Sequence, residues 1–336
     1  SQFKGIYHPW TCIWQYGRKV SEDQSLQSGG RHGGSPVPDK DRIPVAGSDG
    51  FRHNLKGMNI TIVGLGLIGG SMARDLKSQL NVRVKGVDTS AHHSRLAGEL
   101  GLVHEMVNLN DGLNGADIVI LAVPVDKIEE MLPDILNHTS AHTTVVDVGS
   151  TKSEMCRAVE GHPHRSRYVA AHPLAGTEYS GPEAAIRGLF TGKKNIICEP
   201  EKSNEQVLNT ALALFESLGM NTLFMAAEEH DKHLAYVSHL SHVSSFMLGL
   251  TVLDIEKDEK QIFELAGTGF ASTVRLAKSN PATWSAIFGK NQKYVLEALN
   301  SYIAHLSGFR DRLEEGNLAA AQQLMAASND IKRILH

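Results

Sequence analysis

The run Ile62-Val-Gly-Leu-Gly-Leu-Ile-Gly-Gly-Ser71 sets Gly64, Gly66 and Gly69 in a GxGxxG spacing, between an apolar run and a stretch of helical period. At such a junction the first glycine permits a tight turn and the second lets the backbone approach a pyrophosphate. The third lets helix and strand pack closely. Backbone N–H groups of the first helical turn, at Leu67 and Ile68, and the helix dipole then face the phosphates. An acid arrives where such a loop needs one: Asp88 ends the next apolar run, close to the expected distance of about 20 residues. Its carboxylate accepts hydrogen bonds from a ribose hydroxyl and repels a 2′-phosphate, which favours NAD over NADP. His92, His93 and Arg95 stand close enough to soften that preference, and the rival role of Asp88 is a helix N-cap. Pro124, closing Ile118-Val-Ile-Leu-Ala-Val-Pro124, is expected at the same carboxyl edge of the sheet.

Two further apolar runs end in polar residues. Ser150 follows Val145–Gly149, and Thr151 and Glu154 have capping-box spacing, so a helix is expected to start there. His172 stands at the tip of Tyr168–Pro173. A dehydrogenase that oxidises an alcohol needs a base for the hydroxyl proton, and imidazole titrates in the right range. Position alone would favour a surface or capping role for such a histidine. His230, His233, His239 and His242 crowd one expected helix with Asp231, but no HExxH is present, and no metal site is expected.

These residues need elements to carry them. Asn59–Gly64, Val82–Asp88, Ala116–Pro124, Thr143–Gly149, Tyr168–Pro173, Asn195–Pro200 and Asn221–Met225 read as strands. Leu67–Gln79, Lys127–Leu136 and Glu205–Leu218 read as helices. Alternation of this kind predicts βαβ units and a parallel, Rossmann-like α/β sheet. From about Glu228 the strand signal ends. Val295, Leu299, Tyr302, Leu306, Phe309 and Leu313 then step along one helix face, and Leu318, Ala321, Leu324, Ile331 and Leu335 follow at similar spacing. Such stripes must bury against something, and a helical domain that pairs with a second copy is the expectation.

Residues 1–57 differ: the Gly/Ser/Pro-rich stretch Ser28–Asp39 has no period, Trp10–Trp14 carries a lone cysteine, and Met58 reads as a natural start. A leader or flexible extension is expected there, before a dinucleotide-binding domain at 58–228 and a helical domain at 229–336. The chain has 336 residues, 41% hydrophobic and 21% charged, with a net charge of −4. That balance gives no basic field for nucleic acid, and no run reaches the ~18–20 apolar residues of a membrane span. The three cysteines lack CxxC spacing, fitting a reducing, cytoplasmic setting without a disulfide framework.

Several motifs together are similar to one family. His172-Pro-Leu-Ala-Gly-Thr-Glu178 preceded by Asp147-Val-Gly-Ser150, then Glu229-His-Asp231 and Val237-Ser-His-Leu-Ser-His242, resemble the prephenate/arogenate dehydrogenases of tyrosine biosynthesis. So does Gly267-Thr-Gly-Phe270 through Arg275, with Trp284 nine residues on. The resemblance runs from Met58 to the C-terminus. It implies a Rossmann-like domain, a helical substrate-binding domain that forms a homodimer, and NAD-dependent oxidative decarboxylation of a cyclohexadienol. Carried across, His172 takes a hydrogen bond and proton from the ring hydroxyl. Ser150 orients His172 and meets the nicotinamide end, and Arg275 binds a substrate carboxylate. His242 and Glu178 line or gate the pocket, while Ser238 and Trp284 shape it. Prephenate is favoured over arogenate, whose ammonium has no evident acidic partner except Glu178. Ser241 departs from the proline common in the family's run. No C-terminal regulatory domain or mutase-like segment is recognised, so tyrosine feedback through one is not expected. The alternatives are a β-hydroxyacid dehydrogenase, with Lys278 or Lys290 as acid/base, and an NAD sensor without turnover.

Overall fold

A computed structural model of the chain describes residues 55–79, 81–257 and 260–333. Its strands are β1 (Asn59–Val63), β2 (Arg83–Val87), β3 (Glu105–Met106), β4 (Ile118–Leu121), β5 (Thr144–Asp147), β6 (Tyr168–Pro173), β7 (Lys194–Cys198) and β8 (Asn221–Met225). They form one sheet in the order β3-β2-β1-β4-β5-β6-β7-β8. Strands β1 to β6 pair in parallel, and the strand order reverses between β1 and β4. That reversal opens the crevice at the carboxyl edge where ligands of open α/β sheets bind.

Helices α1 (Leu67–Gln79), α2 (Ala91–Glu99), α3 (Leu109–Leu113), α4 (Val125–His138), α5 (Ser153–Ala158) and α6 (Glu205–Ser217) make the crossovers. The sheet is covered on both faces. Met72 and Leu76 of α1 and Leu214 of α6 pack with Ile60, Ile62 and Val169 on one face. Ile128 and Leu132 of α4 and Met155 of α5 pack with Val119, Leu121 and Tyr168 on the other. Burial on both sides is why the strands read as continuous apolar runs. Cys156 and Cys198 are buried free thiols, and burial pushes the first up to about 12.

The sheet departs from the all-parallel expectation at one point. β7 pairs antiparallel to β6, and β8 runs parallel to β7. The connection from β6 to β7 holds only the short turn Pro182–Ala184, so no helix carries the chain back to the starting edge. The two-residue β3 escaped the period reading because no apolar run lies behind it. The leader lies outside the described residues except for Leu55–Gly57. There Leu55 is buried in the same core as Ile60, and Gly57 N–H donates to Asn81 O at 2.6 Å. The fold therefore includes residues just before Met58.

After β8 come α7 (Ala227–Leu234), a π-helical turn (Ala235–His239), α8 (Leu240–Glu256), α9 (Thr268–Thr273), a 3₁₀ turn (Arg275–Lys278), α10 (Pro281–Lys290), α11 (Gln292–Glu314) and α12 (Leu318–Ser328). This half buries little within one chain. Ala235, Val295 and Ala298 form its small core, with Leu240, Phe288 and Tyr294 beside them. Trp284 and Ile287 of α10 pack instead on the core beneath α4. Of the expected stripe, Val295 is buried, whereas Leu306 and Leu313 stay about half exposed. Leu335 lies outside the described residues. No described helix is long and apolar enough to cross a membrane.

Candidate active site

The glycine loop joins β1 to α1 at the crevice. Gly64 has φ +93° and its N–H donates to Val87 O at 2.8 Å. A Cβ there would lie 2.6 Å from Ala122 O, and one on Gly69 would lie 1.9 Å from Gly64 O. A Cβ on Gly66 would meet nothing within 4 Å. Two glycines thus serve the fold's own packing, and the middle one leaves open space into which a phosphate can come. Leu67 and Ile68 begin α1 beside that space. Asp88 accepts from Leu65 N–H at 3.0 Å and from Ser90 N–H at 2.9 Å. The N-cap of α2 is Ser90, which accepts from His93 N–H, so the capping alternative for Asp88 fails. Asp88 keeps lone pairs for a ribose hydroxyl, since an ionised carboxylate offers about four acceptor sites. His93 stands 3.7 Å from it, and Arg95 pairs along the helix with Glu99. Pro124 occupies the N-cap position of α4 at this edge. These features fit a dinucleotide.

His172 sits at the end of β6, half-buried, with its Nδ1 2.8 Å from His230 Nε2. His230 Nδ1 in turn lies 2.8 Å from Asp231 Oδ1. The resemblance implies Ser150 as the group that orients His172; the ring partner the structure supplies is His230, from α7. Ser150 is half-buried just past β5. The expected helix does begin nearby, but Thr151 does not cap it. Asp231, from the helical half, accepts from the N–H groups of Lys152 and Ser153 at 2.8 Å each and closes the start of α5. Beneath this point Lys152 and Asp147, both fully buried, form an ion pair. Lys152 Nζ also donates to Ala171 O at 2.7 Å, and Tyr168 Oη donates to Asp147 at 2.5 Å. This buried network fixes the residue preceding His172. Burial, then the neighbouring His230, Lys152 and His239, hold the His172 imidazole well below its usual range, so it is neutral near pH 7. Burial lowers His230 as well.

A cleft of about 660 Å³ opens between the β6–β7 connection and the segment before α10, lined among others by Glu178, Tyr179, Glu183 and Lys278. At its rim Arg275 donates to Glu178 at 2.9 Å, the arginine half exposed and the acid largely covered. Glu178's own N–H, and then Arg275, keep its carboxyl below the usual range. His242 stacks on Trp284, ring centroids 3.4 Å apart, and its Nδ1 donates to Ser238 O at 3.1 Å. Burial lowers His242, and the Arg275 charge adds to that. The four clustered histidines therefore part company. His230 and His239 are buried, His239 edge-on to Trp284 and 3.1 Å from Asn291, while His233 faces solvent. The π turn between α7 and α8 changes the helical phase that sequence spacing assumed.

Residues 72–223 match the family described as "Prephenate dehydrogenase, nucleotide-binding domain", and residues 226–327 match "Prephenate dehydrogenase, dimerization domain". The chain belongs to the prephenate dehydrogenase family. Among relatives of this family, it is 31% identical to the cyclohexadienyl dehydrogenase of Zymomonas mobilis, over 77% of this chain and 88% of that one. It is 30% identical to the prephenate dehydrogenase of Bacillus subtilis, over 76% and 70%. The crystal structure of prephenate dehydrogenase from Aquifex aeolicus with hydroxyphenyl propionate and NAD+ superposes with a TM-score of 0.75 at 29% identity. That match covers 83% of this chain and 98% of that one. As a member of the prephenate dehydrogenase family, the chain is an oxidoreductase with a Rossmann-like nucleotide-binding domain and a helical domain.

Proposed function

We propose that this protein oxidatively decarboxylates prephenate to 4-hydroxyphenylpyruvate with NAD, and that His172 is the base. The observation that carries the reading is a neutral imidazole at the carboxyl end of β6, on the sheet edge that also presents the Gly64–Gly69 loop and Asp88. The cofactor is NAD, held by Gly64, Gly66, Leu67, Ile68, Gly69, Asp88 and Pro124, with Ser150 toward the nicotinamide. When bound, it supplies the hydride acceptor. His172 accepts a hydrogen bond from the ring hydroxyl and draws its proton as the carbinol carbon loses hydride. The bond to the ring carboxylate breaks, its electron pair completes the aromatic ring, and CO2 leaves. His172 then returns the proton to the phenol oxygen. Aromatisation drives the decarboxylation, so the protein's task is positioning and proton handling.

Arg275 leaves Glu178 to clamp a substrate carboxylate, for which its planar fork is well shaped. His242, Ser238 and Trp284 form the apolar and polar wall beside it. Residues 58–228, with Leu55–Gly57 packed into the same core, make the nucleotide-binding unit and 229–336 the substrate-binding and dimerising unit, and the working form is a homodimer. Glu178 and Glu183 give the cleft two carboxylates able to pair an ammonium, which keeps arogenate as the second substrate to test. A hydroxyacid dehydrogenase chemistry has less support: Lys290 is engaged with Glu129 at 2.8 Å, and with Lys278 of the cleft as the base the neutral His172 would have no role.

The test is reduction of NAD with prephenate and separately with arogenate, followed by absorbance. Turnover with prephenate that falls about 10²–10⁴-fold in His172→Asn is the expected result. Turnover with arogenate alone would move the specificity, and silence with both in a protein that binds NAD would sink the reading in favour of a sensor.

A further inference from the structure

A base works only if the nitrogen facing its substrate is bare, and the hydrogen-bond chain behind His172 decides which nitrogen that is. Asp231 is buried and accepts from two backbone N–H groups, so its carboxylate is an acceptor toward His230 as well. His230 Nδ1 therefore carries a hydrogen and donates. His230 is neutral, so its Nε2 is bare and can only accept. The hydrogen between the two rings then belongs to His172 Nδ1, and His172 Nε2 keeps its lone pair. We propose that His230 and Asp231 are positioning residues that lock His172 in the Nδ1–H tautomer and so aim a basic Nε2 at the substrate hydroxyl. The proposal rests on the functional reading above for what Nε2 does, but not for where the hydrogen sits.

The anchor of the chain is over-determined. Asp231 is gripped by the start of α5, and its backbone carbonyl accepts from Asn291 Nδ2 at 2.7 Å. When His172 takes a proton, the Asp231 charge lies two hydrogen bonds away to stabilise the imidazolium. The logic is that of a carboxylate orienting a catalytic histidine, with a second imidazole inserted between them.

Three variants test it. In His230→Gln the amide N–H can donate to Asp231 and Oε1 can accept from His172, preserving the pattern. His230→Leu removes it. Asp231→Ala removes the acceptor that holds the hydrogen on His230 Nδ1. Ring ¹⁵N NMR of the histidines, with His172→Asn identifying the signals, reads the tautomer without substrate. The wild type and His230→Gln are expected to show Nδ1–H at His172; His230→Leu and Asp231→Ala should show a mixture. In turnover, His230→Leu and Asp231→Ala should lose about 100-fold or more in kcat, with KM and NAD affinity within about threefold, whereas His230→Gln recovers to within about tenfold. NAD affinity also reports that each variant is folded. An Nε2–H tautomer in the wild type, or wild-type kcat in His230→Leu, overturns the proposal. The expected tautomers in a protein that turns over neither prephenate nor arogenate would uphold the relay and overturn the functional reading instead.

Discussion

His172 owes its chemistry to its surroundings, and the same surroundings set its pH behaviour. Burial, then the neighbouring His230, Lys152 and His239, lower its pKa well below 6.5, so the neutral imidazole persists through mildly acid conditions. The expected profile of kcat/KM is level as pH falls from 8 through 6.5 and declines only at lower pH, in the limb assigned to the base. A decline centred near 6.5 would contradict that lowering of His172. Stability follows the same sign. His239 is lowered to about 4 by burial, His172 and His230 are lowered too, and the unfolded chain titrates these groups near 6.5. Below that value the unfolded state binds more protons than the native one, so stability falls as pH drops from about 6.5 toward about 4. His239 alone accounts for about 3 kcal/mol over that window. In chemical denaturation at pH 7 and pH 5, His239→Gln should lose less stability between the two than the wild type does.

At the scale of elements, the glycine loop separates packing from ligand binding. A Cβ at Gly69 collides with Gly64 O, whereas one at Gly66 enters open space. Gly69→Ala should therefore lower stability by about 2–3 kcal/mol and weaken NAD through the distorted loop. Gly66→Ala should stay within about 0.5 kcal/mol of wild type yet lose at least about tenfold in NAD affinity, because the added methyl stands where the pyrophosphate comes. Thermal denaturation beside a binding titration checks both; equal NAD affinity in Gly66→Ala would count against the loop as the phosphate site. The π turn is the second element with consequences. It lies between the helix that carries His230 and the one that carries His242, and so sets the two imidazoles at a phase that a continuous α-helix would not give.

For the whole molecule, the apolar surface that the described helical half leaves exposed points to a second copy. Leu250 and Leu306 are each 51% exposed on helices α8 and α11. An apolar groove of about 350 Å³ also runs between these helices, past Phe246, Met247 and Leu299. Exposed apolar area of this kind marks an interface, and residues 226–327 match a dimerisation domain. Sedimentation velocity should give twice the chain mass, and Leu250→Asp with Leu306→Asp should give monomers with reduced turnover. A wild type that sediments as a monomer at micromolar concentration would refute the dimer.

The α/β class, seven of the eight strands, the glycine loop and the acid at Asp88 were legible from composition and spacing. These are local matters: period, turn chemistry and a short βαβ unit are written within about 30 residues. The reversal at β7 and the small edge strand were not, because strand direction depends on where the connection leads rather than on the strand's own residues. The partner of His172 was hidden for a related reason. His230 lies 58 residues on in the chain, in the other half of the molecule, and its Glu-His-Asp run, part of the resemblance, carried no assigned role among several histidines on one expected helix. Only folding of α7 against α5 brings that imidazole to His172, and only the buried carboxylate behind it decides which nitrogen is left bare.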